Sequence, residues 1–164
     1  MAFWNKKTSQ KLRKKDFLDY LGDRKSHLKY LKKYMPEIKG FNHVMGYSED
    51  LVDALMILLE ARDKRDKRIT KEALDECQKI SAGIFQQFVM NRELKDYFDK
   101  VSRNLEMELM HSMDEIFLKG LDNVHHNLIT ESYIQDVMKL FDRWFLLLLD
   151  VMPVEKKLRM QLAA

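Results

Sequence analysis

Residues 129–153 read ITESYIQDVMKLFDRWFLLLLDVMP. Ile134, Val137, Leu140, Phe141, Trp144, Phe145 and Leu148 recur there at spacings of three and four, the signature of an α-helix with one broad apolar face. Thr130 stands where an N-cap hydroxyl is wanted, and Ile129 can pack on Ile134 as a hydrophobic staple. Pro153 ends the segment. Its most apolar stretch, Trp144 to Leu149 between Arg143 and Asp150, is far shorter than the ~20 residues that cross a bilayer. This is a helix made to be buried by other helices.

The same grammar recurs upstream. Ile69-Thr70 repeats the staple and cap, with Leu74, Cys77, Ser81, Ile84, Phe85 and Phe88 following along one face. Identity between the two windows is low, so they share helix grammar rather than descent from a duplicated unit. Before them, Ser48 offers an N-cap with Glu49 and Asp50 in the first turn. Leu51, Val52, Leu55, Met56, Ile57, Leu58 and Leu59 then make that helix apolar almost all round, which places it mid-bundle. A further stripe runs through Leu94, Phe98, Val101, Leu105, Leu109, Met113, Ile116 and Phe117, capped by Asn91 and stopped by Gly120. It predicts one continuous helix of roughly 40 Å.

Five Gly and two Pro in 164 residues are too few for the frequent turns of an all-β fold. The fold class is therefore all-α, an antiparallel bundle of five to six helices in a single domain. Residues 1–35 form a basic N-terminal helical arm, with Gly22 breaking or kinking it; 36–47 form a loop rich in Gly and Pro; 48–164 form the bundle proper. A single cysteine, Cys77, cannot form an intramolecular disulfide and fits a reducing compartment. With no apolar leader behind Met1, the expectation is a cytoplasmic protein without a transmembrane segment.

Charge supplies the strongest functional signal. Eleven of the first 35 residues are Lys or Arg against three Asp, a local charge of +8, while the whole chain carries +3. The remaining body is thus acidic, at −5. Lys11, Arg13, Lys14, Lys15, Lys25, Lys29, Lys32 and Lys33 are the candidate contacts to phosphates or to an acidic partner. That acidic partner is another protein or the acidic body of a second copy of this chain. Phe3 and Trp4 beside Lys6 and Lys7 would allow peripheral membrane contact, a weaker reading than protein or nucleic acid. The mixed run Arg62 to Arg68 reads as a solvated helix end and turn rather than a dedicated anion site.

No constellation specifies catalysis or a cofactor. Glu108 and His111 have the Glu-x-x-His spacing of bundle metal sites, but no second such pair stands on a helix to complete it. His125-His126 are adjacent loop residues whose side chains diverge, and Cys77 reads as a buried, inert thiol. Eleven methionines are many, and Met107 and Met110 flank the stripe of the long helix as if it had a second apolar face. With Trp144 they are the candidate protein-interface residues. The chain is expected to be a non-enzymatic helical interaction module, adaptor, regulatory or assembly protein, working through protein contacts and as a homodimer. The alternative is a nucleic-acid-binding protein gripping phosphates through the basic arm.

Overall fold

The structure, a computed structural model, describes residues 14–125 and 129–164. Among these residues there are seven α-helices: α1 (Lys14–Leu31), α2 (Phe41–Asp63), α3 (Lys67–Met90), α4 (Arg92–Ser102), α5 (Leu105–Val124), α6 (Glu131–Val151) and α7 (Lys156–Ala163). A 3-10 turn, Lys32–Tyr34, extends α1, and no strand is present among the described residues. The all-α bundle is as expected, with seven helices rather than five to six.

The extra helix comes from the Asn91–Lys119 stripe, which is not one rod. Arg103 and Asn104 both take left-handed backbone angles and separate α4 from α5. Asn tolerates that conformation better than most residues. The corner is held by Lys95, whose ammonium donates to Asp99, to Asn104 Oδ1 at 2.8 Å and to the fully buried Glu106 at 2.8 Å. Ser102 donates to the other oxygen of Glu106. Val101, expected in the stripe, is exposed at that corner instead.

Three other boundaries move. Helix α2 starts at Phe41, not at Ser48, because Gly40 makes the turn with φ of 90° and a Cβ there would press on Asn91. The loop expected over 36–47 is therefore shorter. Ser48 lies buried inside α2, donating to Val44 O at 2.7 Å. At α3 the cap is Asp66, which accepts from Ile69 N, and Thr70 lies one turn inside. Gly22 neither breaks nor ends α1, and α5 runs on past Gly120 to Val124. Gly120 allows close packing: an added Cβ would meet the Tyr133 hydroxyl, which donates to Ile116 O at 2.6 Å. Thr130 does cap α6, accepting from Tyr133 N at 3.1 Å.

Helices α1, α2, α3 and α5 pack as successive antiparallel neighbours. Lys14 meets Glu60 and Asp63 while Lys32 meets Glu49, so α1 runs against α2. Gly83 lies on Tyr47 and Gly40 on Asn91, fixing α2 against α3. Leu74 lies on Gly120 and Gln78 donates to Asp114, fixing α3 against α5. Helix α6 touches all sides, with thirteen of its residues buried against eleven in α2. Its Trp144 is fully buried, stacked with Phe98 of α4, edge-on to Phe88 of α3, and donating Nε1–H to Ser48 Oγ of α2 at 2.9 Å. The basic arm belongs to this same core through Phe17, Tyr20, Leu21, Leu28 and Leu31, so its described part is an integral helix rather than an appendage.

Candidate functional site

Lys14, Lys25 and Lys32 are separated by three helical turns and then two, so they form one line along α1. That line faces an acidic line on α2. Lys25 Nζ lies 2.5 Å from Asp53, Lys32 Nζ 2.9 Å from Glu49, and Lys14 Nζ 3.1 Å from Glu60 and 3.2 Å from Asp63. Hydrogen bonds to Glu60 and Asp63 hold the Lys14 ammonium above the ordinary lysine range, and Asp53 does the same for Lys25. The lysines expected to act as one set of contacts are thus divided. Lys15, Lys29 and Lys33 are exposed on a different line, with Lys33 Nζ 5.1 Å from the Tyr30 ring. Lys11 and Arg13 lie outside the described residues.

The predicted apolar interface also changes position. Trp144 and Met110 are core residues, and Met107 is half-buried, because α6 and α3 cover the flank of α5 that sequence periodicity left open. Among the described residues, exposed apolar side chains gather on α3, with Phe85 at 38%, Val89 at 58% and Met90 at 72%, while Ile57, Val101, Leu118 and Met160 stand singly on other helices. Phe85 was expected to face the core with Phe88, yet only Phe88 is buried. Gln78, Phe85 and Val89 fall on one flank of α3 at helical spacing, and the Gln78–Asp114 bond shows that this flank borders α5. Because α5 runs antiparallel to α3, Met107, two turns before Asp114, comes level with Phe85.

Two buried polar clusters were not read from the sequence. In one, Asp142 Oδ1 accepts from Tyr20 Oη at 2.5 Å, Arg24 Nη2 at 2.8 Å and Arg24 Nε at 3.2 Å. Arg24 and Asp142 are 3% and 1% exposed, and the guanidinium lies 4.1 Å from the Phe145 ring centre. Arg24 Nη1 also donates to Leu162 O at 2.6 Å, tying α7 to the bundle. Burial, then the Asp142 carboxylate, pushes the Tyr20 hydroxyl up. The other cluster is the Lys95–Glu106 corner. Both tie helices together through buried charge, although Asp142 Oδ2 is buried without a hydrogen-bond partner among the described residues.

The remaining ionisable candidates stand apart. Glu108 and His111 are exposed, and His111 Nε2 lies 2.9 Å from Glu115, one turn along α5. Among the described residues no group of three His, Cys, Asp or Glu side chains is placed to hold a metal ion. Cys77 is buried, and that burial pushes its thiol up, away from the reactive thiolate. His125 follows α5 and is exposed, while His126 lies outside the described residues.

One concave feature opens at the end of the bundle, a cleft of about 600 Å³ where α2 turns into α3. Its polar lining is Arg62, Asp63, Arg65, Lys67 and Thr70, and its apolar wall is Val124 with Ile129. Arg62 Nε donates to Ile129 O at 2.6 Å, which fixes that guanidinium at the edge. No described helix is long and apolar enough to cross a membrane. The chain matches no protein-family model, no curated protein and no solved structure.

Proposed function

We propose that the chain is a non-enzymatic helical interaction module, and that its partner is a protein, in the first instance a second copy of itself. The observation that carries this reading is the exposed flank of α3, where Phe85 and Val89 stand in solvent at the level of half-buried Met107, with exposed Met90 at the end of the helix. Residues 80–91 contain no charged side chain, so two such flanks can meet about a two-fold axis without like-charge repulsion. The internal pairing of Lys14, Lys25 and Lys32 supports the same reading, since these cations are already neutralised by α2. In sedimentation or light scattering at micromolar concentration, the wild-type chain should show twice its 19.7 kDa mass. F85E/V89E should return it to the monomer with unchanged circular dichroism. Loss of a central apolar anchor costs on the order of 2 kcal/mol, so the dissociation constant should rise by ~30-fold or more. A wild-type monomer, or a dimer indifferent to these substitutions, would reject self-association through this flank.

Nucleic-acid binding keeps one specific support. Lys15, Lys29 and Lys33 form an outward line extending roughly 27 Å along α1 and its terminal turn, with no carboxylate partner among the described residues. Under that reading, K15Q/K29Q/K33Q should abolish a gel shift, and wild-type affinity should fall several-fold as salt doubles. Under the protein-module reading, neither change touches the apolar contact. A salt-sensitive shift lost in the triple variant would make nucleic acid the better account.

A further inference from the structure

We infer that the cleft between the α2–α3 turn and the wall formed by Val124 and Ile129 is a binding site for a small molecule carrying a diphosphate or longer phosphate chain. Positive charge without a carboxylate partner gathers there in a concave setting. Arg62, Arg65 and Lys67 converge on the cleft, and among the described residues none of them has a carboxylate within ion-pair distance.

Glu131 lies in the adjoining hollow beside Arg62 and has an interaction of its own, and two further acids are turned elsewhere. Asp63 lines the cleft, but its Oδ2 is 3.2 Å from Lys14 Nζ. Asp66 turns its carboxylate into α3, accepting from Ile69 N at 3.0 Å. This contrasts with α1, where three lysines each have an acidic partner on α2. Arg62 is held at the edge by Ile129 O through Nε, and its two Nη groups make no hydrogen bond among the described residues. Guanidinium groups suit phosphate because their N–H donors form a fixed fork.

Size and charge set the ligand class. A volume of about 600 Å³ falls within the range of small-molecule sites. Among the described lining residues three cations stand over one carboxylate, a net charge of +2 that a diphosphate matches better than a single phosphate. Val124 and Ile129 give the rest of the ligand an apolar surface to lie on.

The test is calorimetric titration of the full chain with inorganic phosphate, pyrophosphate and a short single-stranded oligonucleotide, in wild type and in R65G/K67Q. Arg65 has φ of 56°, an angle that favours glycine, so R65G removes the cation without straining the turn. Pyrophosphate should bind one-to-one and more tightly than phosphate, and should weaken several-fold when salt is doubled. In R65G/K67Q its affinity should drop at least tenfold while the melting temperature holds or rises, which separates lost binding from lost fold. K29Q/K33Q, on the outward line of α1, should bind as wild type does. Absence of pyrophosphate binding at millimolar concentration, or binding unchanged in R65G/K67Q, would overturn the inference. Binding by the oligonucleotide alone would also overturn it, in favour of backbone phosphate.

Discussion

Asp142→Leu should lower the free energy of unfolding by about 3–5 kcal/mol, the usual consequence of stranding one member of a buried ion pair. Arg24 would keep its charge at 3% exposure, with Leu162 O, His27 Nδ1 and the Tyr20 hydroxyl as neutral polar company and no counter-charge. Tyr20 would lose the acceptor it holds at 2.5 Å. Denaturant titration followed by circular dichroism measures the loss directly. The informative control removes every member of the cluster together: Y20F/R24M/D142L should recover most of the loss, because well-packed apolar replacements for a buried pair are often neutral or better. If the single change costs under ~1 kcal/mol, the pair is not carrying buried charge in the way its geometry implies.

Trp144→Ala should cost a similar ~3–5 kcal/mol, the range for removing a large aromatic from a packed core. Trp144 touches helices from three directions, so the cavity cannot close by moving one neighbour: Phe88 stands edge-on at 6.3 Å, Phe98 lies stacked at 6.5 Å, and Ser48 accepts its N–H. Ser48→Ala isolates the hydrogen bond. It leaves the indole N–H buried without an acceptor and should cost ~1–3 kcal/mol. Ser48 itself keeps its bond to Val44 O when Trp144 is removed, so the Trp144 effect is chiefly packing. A Trp144→Ala variant as stable as Ser48→Ala would show that the indole N–H, and not the ring, is what matters.

These two sites also mark what could be read in the chain and what could not. Helix α6 was legible because its cap, its stripe and its terminating proline all lie within 25 consecutive residues. Trp144 was recognisable as exceptional, but its setting depends on Ser48, Phe88 and Phe98, and no local pattern says that these four converge. The sequence therefore places it both in the buried stripe of α6 and among the interface candidates, and the fold puts it in the core. Arg24 was counted among the cations of the arm for the same reason, since its partner is far away in sequence. The α4–α5 break was hidden by a stripe that continues through it. Only the left-handed preference of Asn104 and the acids flanking Lys95 hinted at a corner. The apolar face of α3 is narrower than the sequence implies: Phe85 and Phe88 both fit the stripe but only Phe88 is buried, because sequence periodicity does not separate the edge of an apolar face from its centre. Cleft cations were visible as a charge run, but whether such a run is paired is a matter of tertiary distances.

The ties of α1 differ in when they become available. Its lysine contacts with α2 join residues 17 to 49 apart in sequence, whereas Arg24 is 118 residues from Asp142 and 138 from Leu162. During synthesis at about 5–20 residues per second, roughly 6 to 24 s pass between the appearance of Arg24 and that of Asp142. Over that interval α1 can lie on α2 through its exposed lysines alone, with Arg24 still hydrated. The buried pair forms only when α6 arrives, and the bond to α7 comes last of all. Arg24 and the α6–α7 segment thus complete each other across more than a hundred residues, and a ribosome that stalled before α6 would hold α1 zipped by charge to α2 along its surface but open along the side where Arg24 waits.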